Sequence, residues 1–131
     1  MKIIRIMSLF SSIFALFSCQ AQDKGFESLP VEAFKRAIAD TTVVRLDVRT
    51  AEEFAEGHIE KAINIDVLKS DFEQKATSTL PKNKVIAVNC RSGKRSKTAA
   101  GILVKNGYKV IELDSGYNGW VKEGNLIGLT L

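Results

Sequence analysis

The chain has 131 residues, of which 45% are hydrophobic and 26% are charged, and its formal net charge is +4 at pH 7. These values fit one soluble globular domain with enough residues for a single core. The positive excess is too small to favour a nucleic-acid partner, because Lys2 and Arg5 supply half of it.

The N-terminal segment predicts an export signal. Lys2 and Arg5 give it a positive start, and the apolar stretch at 6–17 is too short for a comfortable transmembrane helix. The end of this stretch, directly before Cys19, resembles a bacterial lipobox, which implies that Cys19 is lipidated on its sulfur. The only membrane contact expected is therefore this lipid anchor.

This interpretation divides the chain into three parts. The predicted parts are a lipoprotein signal peptide at 1–18, a lipidated polar tether at 19–26 and a folded domain at 27–131. The predicted location is the periplasmic side of a bacterial cell envelope, with the outer membrane favoured because Gln20, and not Asp, follows Cys19. The alternative is a plain secretory signal cut after Ala21, which would release a soluble periplasmic protein.

The first half of the domain predicts alternating helices and strands. A helix at 31–38 is expected from the spacing of its apolar residues, with Ser28 as its cap. Thr50 and Glu53 have the spacing of a capping box, and Gly57 is expected to end that helix in a left-handed conformation. The other predicted elements are strands at 43–47 and 62–65 and helices at 51–56 and 70–76.

The second half continues the same alternation. Its most uniformly apolar strand, Val85–Asn89, is expected at the centre of the sheet. A helix at 96–105, a strand at 110–113 and a last helix at 117–122 follow. Strands that alternate with helices at this spacing predict an α/β fold, with a mostly parallel central sheet and helices on both faces.

Cys90 lies between the central strand and the following helix, in a short loop that also contains Arg91, Lys94 and Arg95. In such sheets, ligands bind at the carboxyl ends of the strands. The free amides of the turn and of the helix N-terminus, together with the basic side chains, favour a thiolate and form a cradle for a small anion. A buried structural cysteine is the alternative, but it leaves the basic cluster unexplained.

Three motifs together resemble the rhodanese family of sulfurtransferases. The resemblance covers about residues 27–124 and implies a single rhodanese-like domain. One departure is Ser115, where the family more often has glycine. The motifs are the cysteine-to-arginine loop at 90–95, the segments 46–49 and 57–65 that form the first signature, and the segment 113–120 that forms the second.

The resemblance implies a function and a set of site residues. Cys90 would take a sulfane sulfur from a small anionic donor such as thiosulfate, hold it as a persulfide without any other cofactor, and pass it to a thiol or cyanide. A protein sulfur acceptor is also compatible. Asp47 is expected to support the structure, and Arg49 fits either a substrate contact or a structural ion pair. The predicted substrate-binding residues are Arg91, Ser92, Gly93, Lys94, Arg95, Ser96 and Arg49.

Other functions fit parts of the same pattern. Phosphatases and arsenate reductases related to this fold place their arginine six positions after the cysteine, where this chain has Ser96. A persulfide carrier or a binding module without turnover is a further alternative. His58 would have to lie beside Cys90 for a Cys–His hydrolase. One histidine and one thiol are too few ligands for a metal site, so none is expected.

Overall fold

The computed structural model describes residues 24–129, so the predicted signal peptide, Cys19 and most of the predicted tether lie outside the described residues. None of the helices between residues 24 and 129 combines the length and the hydrophobicity that spanning a bilayer requires.

The centre of the fold is a parallel sheet with the strand order β1-β6-β5-β2-β4. Its middle strand is β5, as expected from the apolar segment Val85–Asn89. A second, antiparallel sheet pairs β3 with β7. The strands of the described range are β1 (Phe26–Leu29), β2 (Val44–Asp47), β3 (His58–Ile59), β4 (Ile63–Asn64), β5 (Val85–Asn89), β6 (Lys109–Leu113) and β7 (Ile127–Gly128).

Helices cover both faces of the sheet, which confirms the predicted α/β architecture. One core layer packs α3 and α4 against the sheet through residues such as Phe72, Ala76 and Leu103. The opposite layer joins α1 and α5, where Phe34 and Trp120 meet edge to face. The helices are α1 (Val31–Ile38), α2 (Ala51–Glu56), α3 (Phe72–Thr79), α4 (Lys94–Lys105) and α5 (Gly116–Lys122).

Several predicted boundaries change in the structure. Phe26, placed in the tether by the sequence, is a buried residue of β1, and Ser28 lies in the same strand and does not cap α1. The N-cap of α1 is Pro30, whose side chain makes no capping bond. The strand was missed because four residues that pair with β6 have no strong local strand signal.

Two helix ends also differ. The capping box of Thr50 and Glu53 is present as predicted. Gly57, however, has φ of 152° and ψ of 144°, which is a glycine conformation but not the left-handed helical one. Helix α4 begins at Lys94, two residues earlier than predicted, so Lys94 and Arg95 belong to its first turn.

The strand register brings three chain segments to one edge of the sheet. Asp47 at the end of β2 pairs with Asn89, the residue before Cys90. On the other side of β5, Val88 pairs with Glu112 of β6. Because these strands are parallel, the segments that follow them all emerge at the carboxyl edge.

Candidate active site

Cys90 follows β5 and is almost fully buried, with 1% of its surface exposed. The backbone N–H of Gly93 donates a hydrogen bond to Cys90 Sγ over 3.1 Å. The thiol also lies 3.2 Å from Ser96 Oγ, on the first turn of α4. The first N–H groups of this helix have no intrahelical acceptor. The loop therefore supplies at least one of the amide donors that the sequence predicts around the sulfur.

Two glycines fix the backbone of this loop. Gly93 has φ of 104°, and a side chain there would collide with the backbone carbonyl of Asp114. Gly116 has φ of 65°, and a side chain there would collide with the backbone of Arg91. The start of α5 also bonds to the loop, because Tyr117 N–H donates to Cys90 O over 2.8 Å. The loop is thus held between β6 and α5.

Arg95, which the sequence predicts as a substrate-binding residue, pairs with an acidic residue in the body of the domain. Its two terminal nitrogens donate to the Oε1 and Oε2 atoms of Glu53 over 2.7 and 2.9 Å. These bonds to Arg95 lower the pKa of Glu53 from 4.5 to about 2, against the opposing effect of burial. Glu53 also accepts a bond from Thr50. The first turn of α4 is therefore attached to the capping box of α2.

Asp47 and Arg49 form a buried ion pair. Arg49 Nη2 lies 2.8 Å from Asp47 Oδ2 and also donates to the carbonyl of Gly57 over 2.7 Å. The guanidinium stacks on the ring of Tyr117, with its central carbon 4.2 Å from the ring centroid. Asp47 therefore has the contacts of a structural residue, and Arg49 makes the structural ion pair that was one of its two expected roles.

A cleft of about 260 Å³ lies beside the loop. Arg49 reaches this cleft although its Nε and Nη2 atoms are engaged by Asp47. Of the other predicted substrate-binding residues, Arg91, Ser92 and Lys94 are exposed to solvent, whereas Gly93 and Ser96 are buried. The cleft is lined by Arg49, Glu53, Glu56, Gly57, Arg91, Tyr117, Asn118 and Val121.

The structure adds a buried polar group that the sequence interpretation missed. Glu112 of β6 is fully buried and accepts hydrogen bonds from Ser28 and Ser96. Lys97 lies 3.3 Å from Glu112 Oε1 and also donates to the carbonyl of Gly93 over 3.1 Å. Lys97 follows the cysteine-to-arginine loop in the chain, yet its side chain contacts the loop at Gly93. The available signal was a glutamate inside an apolar strand of a parallel sheet.

Lys97 connects the loop to two carboxylates. It forms an ion pair with Asp114 over 2.9 Å in addition to its contact with Glu112. Burial alone lowers the pKa of Lys97, but the hydrogen bonds and charges of Asp114 and Glu112 outweigh it, so its pKa is raised. Lys97 is therefore a cation that holds the carbonyl side of Gly93.

His58 does not complete a Cys–His pair. Its ring stacks on the ring of Phe54 with a centroid separation of 3.7 Å, and its Nδ1 lies 2.9 Å from the backbone carbonyl oxygen of Phe54. The polar partners of the Cys90 sulfur are instead Gly93 N–H and Ser96. Among residues 24–129, no group of three or more His, Cys, Asp and Glu side chains is placed to hold a metal ion.

A family profile described as the rhodanese-like domain matches residues 30–123, which include the whole loop and both flanking strands. The chain belongs to the rhodanese-like domain family. The match confirms the resemblance to the rhodanese family, and the matched range contains Cys90 and its loop.

Relatives and solved structures agree with this assignment. A sulfurtransferase of Allochromatium vinosum is 33% identical over 95 residues, which cover 71% of this chain and 86% of that protein. The mitochondrial protein HIGH ARSENIC CONTENT 1 of Arabidopsis thaliana is 37% identical over 89 residues, 60% of this chain, and the match spans about half (53%) of that relative. The first of these relatives, named as a sulfurtransferase, supports sulfur transfer as the general chemistry of the family.

The fold has the same support. The crystal structure of a rhodanese-related protein from Thermoplasma volcanium matches with a TM-score of 0.70 and 28% sequence identity. That match covers 79% of this chain and 99% of the solved chain. The central parallel sheet and its two helical layers are therefore those of a rhodanese-like domain.

Proposed function

We propose that this rhodanese-like domain is a sulfurtransferase in which Cys90 takes a sulfane sulfur from a small anion such as thiosulfate and holds it as a persulfide. The contact between Gly93 N–H and Cys90 Sγ carries the proposal. A thiolate and a persulfide are both anions, and a preorganised backbone donor stabilises either of them without reorganisation. The loop thus supplies what the reaction needs at the sulfur.

Cys90 is the only residue that forms a covalent bond in the two steps of the reaction. The Cys90 thiolate attacks the outer sulfur of thiosulfate, the S–S bond of the donor breaks, and sulfite leaves with the bonding electrons. A thiolate or cyanide then attacks the terminal sulfur of the persulfide. This second step releases a new persulfide or thiocyanate and returns the Cys90 thiolate. Sulfur leaving groups are good enough that neither step needs a strong base.

Burial of Cys90 supports a small donor. Since only 1% of Cys90 is exposed, the donor must reach the sulfur through the loop. The terminal sulfur of a persulfide lies about 2 Å farther out, one S–S bond from Sγ, and is easier for an acceptor to reach. Arg91 and Lys94 are exposed cations of the loop. They would raise the local concentration of an anionic donor.

The neighbouring cleft supports the same substrate class. Arg49 and Arg91 both line it, and Arg91 also lies next to the reactive cysteine. Asp47 occupies the Nε and Nη2 atoms of Arg49. An anion in the cleft would therefore contact the remaining side of the guanidinium. We infer that the charged end of the donor binds here while its sulfane sulfur faces Cys90.

The deciding experiment measures the intact mass of the purified protein after incubation with thiosulfate. We expect an increase of about 32 Da, the mass of one sulfur atom, that cyanide removes with formation of thiocyanate. Cys90→Ser should show no such adduct, whereas Cys19→Ser should retain it. If wild-type protein takes up no sulfur from thiosulfate, the proposed donor class is wrong.

The other functions give different results in the same assays. A persulfide carrier would acquire the adduct but release thiocyanate only in a single turnover. A binding module would acquire no adduct. An oxyanion enzyme would hydrolyse p-nitrophenyl phosphate much faster than it transfers sulfur. We expect repeated thiocyanate formation and negligible phosphate release, because the arginine lies five positions after Cys90 in a tight loop.

A further inference from the structure

A continuous chain of polar contacts connects the reactive cysteine to a buried carboxylate. Cys90 Sγ lies 3.2 Å from Ser96 Oγ, and Ser96 Oγ donates to Glu112 Oε2. Ser96 and Glu112 are both 0% exposed. Solvent therefore cannot replace either partner of the Ser96 hydroxyl, and the direction of its single hydrogen is decided by its two neighbours.

Glu112 is held as a hydrogen-bond acceptor by two further donors. Ser28 Oγ donates to Glu112 Oε1 over 2.6 Å, and the Lys97 ammonium lies 3.3 Å from the same oxygen. A buried carboxylate is stable as an anion only when it is paired and hydrogen-bonded in this way. Ser28, Lys97 and Ser96 all donate toward this carboxylate, so Glu112 accepts the Ser96 hydrogen.

The orientation of Ser96 has a consequence for Cys90. When the Ser96 hydrogen points to Glu112, the oxygen presents only lone pairs to Cys90 Sγ. Lone pairs accept a bond from a thiol S–H but repel a thiolate. Loss of the thiol proton to solvent would require the Ser96 hydrogen to turn from Glu112 to the sulfur, leaving Glu112 with Ser28 and Lys97.

We propose that Glu112 is a positioning residue that sets the direction of the Ser96 hydroxyl and thereby favours the thiol form of Cys90 in the free protein. Glu112 opposes the Gly93 N–H, which favours the thiolate. The opposing effects of Glu112 and of the Gly93 N–H set the fraction of Cys90 that is a thiolate and can attack a sulfur donor. This inference deepens the proposed function and rests on Cys90 being the sulfur-accepting thiol.

Other charged groups near the contacts between Cys90, Ser96 and Glu112 belong to three segments, namely α4, the residue after β6, and α2. Lys97 lies on α4 and bonds to Glu112, while Asp114, just beyond β6, pairs with Lys97. Arg95 also lies on α4 and attracts the Cys90 thiolate electrostatically, although Glu53 of α2 occupies most of its hydrogen-bonding capacity. None of these groups stands between Cys90 and Glu112, where Ser96 is the contact.

The experiment measures the iodoacetamide alkylation rate of Cys90 against pH in the full chain, with the modified Cys90 peptide quantified by mass spectrometry so that Cys19 does not interfere. We expect Glu112→Gln to move the profile to lower pH and to raise the rate about tenfold below the wild-type midpoint, because the glutamine amide can donate to Ser96 and free its hydrogen for the sulfur. Glu27→Gln, the same change at an exposed position of β1, should leave the profile unchanged.

Ser96→Ala provides the second variant. It removes the lone pairs that face the sulfur, so it should also move the profile to lower pH. In the Ser96→Ala background, Glu112→Gln should add much less than it does in wild type, because its effect passes through Ser96. Equal shifts in both backgrounds would show that Glu112 acts only as a charge, and this would overturn the inference.

A shift of the alkylation profile in the opposite direction, or no shift, would contradict the role proposed for Glu112. A profile moved to higher pH by Glu112→Gln would mean that Glu112 withdraws the proton from Cys90 as a base, contrary to the inference. No shift with either variant, in protein whose thermal unfolding is unchanged, would mean that the contacts do not control the thiol. Alkylation does not require sulfur transfer, so these outcomes are independent of whether thiosulfate produces the mass adduct.

Discussion

At the residue scale, Glu53 connects the reactive loop to the rest of the domain. Its carboxylate accepts hydrogen bonds from both terminal nitrogens of Arg95 and lies 3.4 Å from Arg91. Glu53 also completes the capping box with Thr50. The capping box could be predicted from the spacing of Thr50 and Glu53. The ion pair with Arg95 could not be predicted, because the two residues are 42 positions apart in the chain.

The low pKa of Glu53 predicts a specific pH dependence of stability. Its pKa is about 2 in the folded protein and near 4.5 without partners, so its contribution is fully present above pH 4.5 and is lost as the pH falls through 2. Wild-type protein should lose about 1 kcal/mol more unfolding free energy than Glu53→Gln between pH 5 and pH 2.5, allowing for solvent screening of this pair. Urea unfolding at each pH measures this, and parallel pH curves would contradict it.

The two arginines on Glu53 should differ in importance for sulfur transfer. Arg95 makes two short bonds and is 23% exposed, whereas Arg91 is 61% exposed and makes one long contact. Arg95→Ala should reduce the thiosulfate-dependent rate about tenfold, and Arg91→Ala about threefold or less, since exposed pairs contribute little. Steady-state thiocyanate formation measures both. A larger loss with Arg91→Ala would indicate that substrate attraction outweighs attachment of α4.

At the scale of elements, local chemistry predicted the helices and four of the strands (β2, β4, β5 and β6), but not β1, β3 or β7. Val85–Asn89 carries its own signal, because the first four of its five residues form a continuous apolar run. β3 and β7 have two residues each, and they exist only because His58 and Ile59 meet Gly128 and Ile127 across the fold. Pairing between such distant segments leaves no periodic pattern in the sequence.

Helix α4 offers a matched pair of glycine substitutions. Gly93 precedes the helix at a φ of 104°, whereas Gly101 lies on its exposed side, where an added methyl group would have no neighbouring atom within 4 Å. Gly93→Ala should destabilise the domain by about 2 kcal/mol and abolish most sulfur transfer, because both φ and the carbonyl of Asp114 forbid a side chain. Gly101→Ala should stabilise it by about 0.5–1 kcal/mol with full activity.

Thermal unfolding and thiocyanate formation test this pair. Full activity in Gly93→Ala would mean that the loop can rearrange and still bring a donor to Cys90 Sγ. The Gly101 variant shows that a methyl group in α4 is harmless in itself, so any loss in Gly93→Ala belongs to the loop.

At the scale of the whole molecule, the sheet order brings chemistry from distant segments to one edge. Cys90 follows β5, Asp47 ends β2 and Glu112 is the residue before the last of β6. The parallel pairing makes these ends of three adjacent strands neighbours. The alternation of helices and strands predicted this edge as the site. It could not predict that β6 contributes Glu112 beneath the loop, because which strand lies next to β5 depends on the packing of both helical layers.

The buried pair of Asp47 and Arg49 joins several parts of the molecule at this edge. Arg49 connects the end of β2 with Gly57 after α2 and with Tyr117 of α5. Asp47→Asn leaves this guanidinium buried without its counter-charge, and removing one partner of a buried pair costs about 3–5 kcal/mol. We expect urea unfolding to show a loss of that size at pH 7, together with weaker sulfur transfer.

The control for this last prediction is a surface pair of the same chemical type. Asp71 lies 3.9 Å from Lys75, one helical turn away, and both side chains are about half exposed. Asp71→Asn should change the unfolding free energy by less than about 0.5 kcal/mol, because solvent already screens that pair. If Asp47→Asn proved equally mild, water or a repositioned carboxylate would be compensating Arg49. The edge of the sheet would then be held together by the contacts of Gly93 and Gly116 with their neighbouring loops, and not by this ion pair.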